Sequence, residues 1–198
     1  TNGYDVAAET CIHYLIFTDE KMKQEDGIKW ICSPPLRNKT IENHLWTGIA
    51  AGRIHSVSTD DMAFSSEAKQ LGQDRFDQCP NGIPGIEVRV PLLFSEGVVK
   101  GRLSITRFVE LIASAPARVF GLWPQKGSLL PGSHADIVLF DPKAEWVLGV
   151  ETLHMASDWC AYEGMPVTGR VHKVFSRGEL IIDDGQCLAQ AGRGHYIH

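Results

Sequence analysis

Residues 38–61 are NKTIENHLWTGIAAGRIHSVSTDD, and this stretch decides the fold class. Residues 38–52 place apolar side chains at helical spacing, and Gly52 stands where a helix would end. Residues 54–59 then alternate like a short strand, which runs directly into Asp60 and Asp61. A helix followed by a strand is typical of an α/β protein.

The composition is that of a folded globular protein. The chain has 198 residues, of which 43% are hydrophobic and 22% charged, which is enough to bury a sizeable core. Its net charge of −5 argues against a nucleic-acid or anionic-membrane surface and favours a small partner. No apolar stretch approaches the roughly 20 residues that span a bilayer, and residues 1–5 have no signal-peptide layout. We therefore expect a cytoplasmic protein.

Further patterns extend the α/β prediction on both sides. Residues 6–11 could form a buried strand, and helical patterns occupy residues 90–96 and 105–120. Four aromatic residues on helical faces are predicted to lie in the core: Trp46, Phe108, Phe120 and Trp123.

The pattern changes near Gly127. Residues 128–132, 136–141 and 171–185 are predicted to be short strands joined by tight turns. We therefore divide the chain into residues 1–127 and a small β unit with a C-terminal tail at residues 128–198.

Three polar residues are candidates for a functional site. Asp60 lies at the end of a predicted strand, and in β/α barrels the catalytic side chains project from the carboxyl ends of strands. The position alone still favours an ordinary carboxylate that caps a helix or faces solvent. Asp61 is expected to be such a solvent or capping group, since neighbours on an extended chain point opposite ways. Ser33 and Asn81 lie on stiff Pro- and Gly-rich backbone that could offer amide and carbonyl groups to a ligand, although spacing alone favours structural turns.

The spacing of the histidines and cysteines does not indicate a metal site. The eight histidines form no His-x-His or His-Glu-x-x-His pattern, and the five cysteines form no Cys-x-x-Cys pair. The cysteines are predicted to be free, mostly buried thiols.

Several motifs in series resemble the hydantoinase/dihydropyrimidinase family of the amidohydrolase superfamily. They are ETCIHYL at 9–15, CSPPLR at 32–37, STD at 58–60, PNGIPGIE at 80–87, FVEL at 108–111, APARVFGL at 115–122, the stretch 126–141 and GRG at 192–194. The resemblance covers nearly the whole chain. It implies the C-terminal part of a metal-dependent (β/α)8 barrel, about its last two strands, followed by strands of a small β-sandwich.

The resemblance also implies an activity and a site. Such enzymes hydrolyse cyclic amides such as hydantoins and dihydropyrimidines through attack of a metal-bound hydroxide on the ring carbonyl, commonly with two zinc ions. Asp60 matches the aspartate that binds one metal and shuttles the proton, and Ser33 and Asn81 match positions whose backbone groups bind the cyclic ureide. A homo-oligomer, dimer or tetramer, is expected for the complete enzyme.

Departures from the family pattern leave alternatives open. The other metal ligands would precede Thr1, so we expect this chain alone to be inactive. Asp61 and Met62 replace a common His-Cys or His-Ser pair, and Ile12 replaces a common proline. An allantoinase shares the ETC-x-HYL motif, which His13 favours, whereas Ser33 and Asn81 favour a hydantoinase. A non-catalytic assembly protein like the collapsin-response mediators would have lost metal ligands, and the retained Asp60 argues against it.

Overall fold

A computed structural model describes residues 6–197, in which helices and strands alternate first and strands dominate later. The first part contains β1 (Glu9–Cys11), α1 (Ile12–Ile16), α2 (Lys39–Ala50), β2 (Ser56–Ser58), α3 (Ser66–Gln70), α4 (Arg89–Leu93), α5 (Ile105–Val109) and α6 (Ala115–Val119). The second part contains β3 (Ile137–Val147), β4 (Pro166–Ser176), β5 (Glu179–Asp183) and β6 (Gln186–Cys187). This order confirms the predicted α/β class with a following β unit.

Short irregular helices complete the described elements. Single 3₁₀ segments lie at Asp19–Lys23, Gly27–Trp30, Phe76–Gln78 and Val150–Thr152, and π-helical segments at Phe94–Val99 and Glu110–Ser114 continue α4 and α5. No helix within residues 6–197 is both long and apolar enough to cross a membrane.

Strands β1 and β2 form a parallel pair. Glu9 lies opposite Ser56 and Cys11 lies opposite Ser58. Parallel neighbours need a crossover connection, and α2 lies within it. Because parallel strands have their carboxyl ends at the same edge, the residues that follow β1 and β2 are brought together.

The predicted helix over residues 38–52 is confirmed, with both of its ends. The Asn38 side chain accepts a hydrogen bond from the backbone N–H of Ile41 at 3.2 Å, which satisfies a free donor of the first turn. Gly52 follows the last turn with φ of 73°, a left-handed conformation that glycine adopts without steric cost. The next strand, β2, begins at Ser56, four residues after Gly52.

The second sheet is antiparallel in the order β3, β4, β5, β6. One of the strands predicted for this part of the chain, at residues 128–132, is wrong. Residues 128–132 form an irregular segment that ends in a turn, because the Ser128 hydroxyl accepts the backbone N–H of Leu130 and Pro131 cannot donate to a ladder. The two leucines that suggested a strand, Leu129 and Leu130, are exposed. The strand predicted at 136–141 is longer, and it extends to Val147.

The first predicted strand is also shorter and less buried than expected. β1 begins at Glu9, and within it only Thr10 is buried. Val6 is 70% exposed. Ala8 exchanges hydrogen bonds with His55, through its carbonyl with the backbone N–H and through its own N–H with the ring, so regular pairing starts one residue later.

Two of the four aromatic predictions are confirmed. Trp46 and Phe108 are buried in the core. Phe120 is 74% exposed, because α6 ends at Val119 and the chain turns away at Gly121. Trp123 is partly exposed and lies beneath the guanidinium of Arg118, whose carbon is 4.4 Å from the ring centre.

One hydrophobic core joins residues from both predicted parts of the chain. The Phe17 ring stacks on Tyr162 at 4.8 Å, and the Phe94 ring meets Phe140 at the same distance. Gly169 on β4 has φ of 102°, and a Cβ there would lie 2.6 Å from both Phe94 and Phe140, so only glycine allows this close approach. The domain boundary at Gly127 stays a prediction. These aromatic contacts join residues on the two sides of that boundary.

All five cysteines lie within the described residues and are free thiols. Three of them are buried, Cys11 is intermediate and Cys187 is exposed. Burial raises the pKa of the Cys32, Cys79 and Cys160 thiols, which keeps them protonated. This confirms the prediction of free, mostly buried thiols.

Candidate active site

Asp60 lies at the carboxyl end of the parallel strand pair. It follows β2 by two residues, is exposed, and has φ of 45°, a conformation that is uncommon for a residue other than glycine. His13, which follows β1, lies at the same edge. The carboxylate of Asp60 contributes to the pKa of His13 and of Cys11, which places the three side chains in one neighbourhood.

His13 is a neutral, buried neighbour of this carboxylate. Its side chain is 2% exposed, and burial lowers the pKa of its ring to about 4 against the opposing effects of Asp60 and the Thr59 backbone. The Nε2 atom has no hydrogen-bond partner among the described residues. At neutral pH the imidazole is therefore uncharged and leaves the negative charge of Asp60 uncompensated by His13.

The segment that carries Ser33 is anchored through the carbonyl of Pro34. The hydroxyl of Tyr14 donates to this carbonyl at 2.6 Å, and the thiol of Cys32 donates to it at 3.3 Å. The peptide bond between Ser33 and Pro34 is cis. Tyr14 belongs to α1, directly after β1, so this anchor connects the Ser33 segment to the edge where Asp60 lies.

The segment that carries Asn81 is joined to both of the others. The backbone N–H of Gly82 donates to the carbonyl of Ile31 at 3.0 Å, two residues before Ser33. The backbone N–H of Met62 donates to the carbonyl of Ile83 at 3.4 Å, and Asp61 and Ile83 form an isolated parallel bridge. The structure therefore brings Asp60, Ser33 and Asn81 onto three connected segments.

Asp61 has a different role from the one predicted. Its Oδ1 atom accepts the backbone N–H of Gly85 at 2.6 Å and of Ile86 at 2.9 Å. The expectation of a solvent or capping carboxylate is wrong, because the loop that begins at Asn81 folds back over the strand end. Asp61 thus fastens this loop beside Asp60.

Lys69 was missed by the sequence interpretation. It lies on α3 and is 0% exposed, and its ammonium group donates to the carbonyls of Ile31 and Pro80. The surrounding residues 66–70 are mostly polar, so no local pattern indicates that this lysine is buried.

The side chains of residues 6–197 do not by themselves fit a two-metal centre. Within residues 6–197, no group of three or more histidine, cysteine, aspartate or glutamate side chains is arranged to hold a metal ion. Asp60 is one exposed carboxylate, which suits a single ligand position and no more. The remaining ligands of any metal centre would have to come from residues other than these.

Comparison with known proteins identifies the family. The model of the amidohydrolase family matches residues 1–181. The chain belongs to the amidohydrolase family. It is 45% identical over 197 residues to D-phenylhydantoinase of Escherichia coli O1:K1, which covers 99% of the chain. The chain spans 43% of the length of that relative.

Solved structures of two relatives have the same fold over this region. The crystal structure of dihydropyrimidinase from Brevibacillus agri is 42% identical with a TM-score of 0.96, and it covers 99% of this chain and 43% of its own. L-hydantoinase from Arthrobacter aurescens is 31% identical with a TM-score of 0.87, covering 96% of this chain and 42% of its own. These values confirm the resemblance on which the fold class was predicted.

Proposed function

We propose that this amidohydrolase is part of an enzyme that opens cyclic amides such as hydantoins and dihydropyrimidines. The observation that carries the proposal is the joining of the Ser33 and Asn81 segments, through the hydrogen bond from Gly82 to Ile31, beside the strand end with Asp60. The names of the relatives, D-phenylhydantoinase and dihydropyrimidinase, point to the same substrate class.

In this proposal Asp60 has two roles. Asp60 would be one ligand of a divalent cation, and its carboxylate accepts the proton of the attacking water. As the water oxygen bonds to the ring carbonyl carbon and the carbon–nitrogen bond breaks, Asp60 delivers this proton to the departing nitrogen.

Ser33 and Asn81 have a binding role in the proposal. A cyclic ureide presents amide N–H and carbonyl groups along its ring edge, and backbone carbonyls and N–H groups on stiff segments complement them. Both residues are exposed, so their backbones are within reach of a ligand. They would orient the ring so that one carbonyl faces the attacking water.

We propose that the complete enzyme uses two divalent metal ions, which we expect to be zinc, inside a closed β/α barrel. Such a metal pair, when bound, lowers the pKa of water and polarises a carbonyl. Because the described residues offer one suited carboxylate, this chain alone should be inactive. We further propose that the complete enzyme is a cytoplasmic homo-oligomer that binds neither nucleic acid nor membrane.

The runner-up is an allantoinase-type ureide hydrolase. The position of His13 beside Asp60 is the observation that favours it, since the ETC-x-HYL motif is shared with that group. An assembly protein without catalysis is a weaker alternative, because Asp60 is retained at the strand end.

The test is a ring-opening assay of the full-length, metal-loaded enzyme with 5,6-dihydrouracil, hydantoin, a 5-substituted hydantoin and allantoin. We expect turnover of the first three. Asp60→Asn should lower turnover by at least about 10²–10⁴-fold, since it removes the general base as well as a charged ligand. Opening of allantoin alone would favour the runner-up, and near-normal turnover by Asp60→Asn with its metals bound would refute the role of Asp60.

A further inference from the structure

Lys69 is a fully buried lysine that contacts both segments proposed to bind the ring. Its Nζ atom donates to the carbonyl of Ile31 at 2.9 Å and to the carbonyl of Pro80 at 2.7 Å. The side chain is 0% exposed. A single group therefore connects two backbone segments that are far apart in the sequence.

The environment of Lys69 is unusual for a buried lysine. Within the described residues Lys69 forms no ion pair with a carboxylate, and the nearby ionisable groups are the thiols of Cys79 and Cys32. Burial lowers the pKa of its ammonium group. Burying a charged group without a counter-ion is costly, so the two carbonyls are its main compensation.

The two carbonyls lie shortly before the proposed ring-binding residues in the sequence. Ile31 precedes Ser33 by two residues, and Pro80 directly precedes Asn81. The carbonyl of Ile31 also accepts the backbone N–H of Gly82 at 3.0 Å. Lys69 and Gly82 thus share one acceptor, and their hydrogen bonds connect the segment that carries Ser33 with the segment that carries Asn81.

We propose that Lys69 is a positioning residue for substrate binding, which fixes the distance between the backbone groups of Ser33 and Asn81. This inference rests on the proposed function, because it assumes that both segments bind the ring. A rigid ring requires donors and acceptors at a fixed separation, so a small shift of one segment weakens both sets of hydrogen bonds. Lys69 itself does not touch the reacting atoms.

The test replaces Lys69 in the full-length, metal-loaded enzyme. Lys69→Met has a similar length and no donors, and we expect it to raise the KM for 5,6-dihydrouracil on the order of tenfold. The inhibition constant of uracil should rise equally, since uracil presents a similar ring edge but its conjugated ring resists opening. Metal content and the pH dependence of kcat should not change. Lys69→Arg, which keeps donors, should restore part of the affinity.

A control variant separates positioning from a general loss of stability. Ile49→Ala removes buried side-chain volume from α2, and we expect it to lower stability without changing the inhibition constant of uracil. Hydrogen exchange should become faster at residues 31–36 and 79–86 in Lys69→Met and stay unchanged there in Ile49→Ala. If Lys69→Met does not fold, Lys69→Gln replaces it, because its shorter amide cannot reach both carbonyls.

Three results would overturn the inference: an unchanged inhibition constant in Lys69→Met, an equal rise in Ile49→Ala, or a fall of kcat with unchanged uracil affinity. If the unsubstituted enzyme neither binds uracil nor opens cyclic ureides, the proposed function is wrong. The hydrogen-exchange comparison then decides on Lys69 by itself, because unchanged exchange at both segments refutes its positioning role and faster exchange supports it.

Discussion

Replacing Asp61 by alanine in the full-length protein should lower the free energy of unfolding by about 1–3 kcal/mol. The carboxylate accepts the backbone N–H groups of Gly85 at 2.6 Å and Ile86 at 2.9 Å. Gly85 is buried, so its N–H group would be left without this acceptor and away from water. Ile86 is exposed, so water can replace the lost bond there. The expected loss is therefore that of one unsatisfied buried donor.

Asp61→Asn is the matched variant. Its amide oxygen can still accept both N–H groups and only the negative charge is lost, so we expect a loss of stability below about 1 kcal/mol. Turnover should also stay close to normal in Asp61→Asn. In Asp61→Ala the KM should rise, because the loop that begins at Asn81 loses its attachment to the strand end.

Urea unfolding followed by tryptophan fluorescence measures the stability of both variants, and a dihydrouracil assay measures KM. Hydrogen exchange at residues 83–86 reports directly on the loop. Equal destabilisation by alanine and asparagine would show that the charge of Asp61 matters more than its oxygen as an acceptor. A silent Asp61→Ala, with normal stability and KM, would refute the role of Asp61 in fastening the loop.

Three further predictions concern the same chain. Gly82→Ala should lower the free energy of unfolding more than Gly52→Ala does, as measured by urea unfolding of both variants. Both glycines have positive φ, but a Cβ at Gly82 would lie 2.3 Å from the Cβ of Met62, whereas a Cβ at Gly52 would meet nothing within 4 Å. Equal losses would contradict the close approach. A hydrogen bond and the charge of Glu87 raise the pKa of the exposed His154 above its ordinary 6.5, so this pair should stabilise fully below about pH 6.5 and lose its effect as pH rises through the raised pKa. Histidine NMR titration of Glu87→Gln should show a lower pKa, and an unchanged value would exclude the pair as the cause. Metal analysis of the purified 198-residue chain should find no tightly bound metal pair, and two metals per chain with turnover would mean that histidines such as His13 or His55 are ligands.

Local signals in the sequence were enough to predict the α/β order and the position of Asp60. Helix α2 could be predicted because both of its ends are encoded locally, by the Asn38 side chain and by Gly52. β2 is the next regular element after this helix, and Asp60 lies two residues beyond β2. The strand prediction failed where an apolar pattern had no neighbouring strand, in the described part of the chain, to pair with. The leucines of residues 128–132 look like a strand, but no strand within residues 6–197 pairs with them.

The sequence by itself determined that residues 38–60 form a helix and a strand ending in a carboxylate, since spacing and capping act over a few residues. Only the tertiary structure decided that Asp61 binds the loop at Gly85 and that Lys69 is buried. Those hydrogen bonds join residues distant in the chain, 38 apart for Lys69 and Ile31. Hydrogen bonds depend on distance and direction in space, and no local pattern of residue types encodes which distant carbonyl a buried ammonium group will meet.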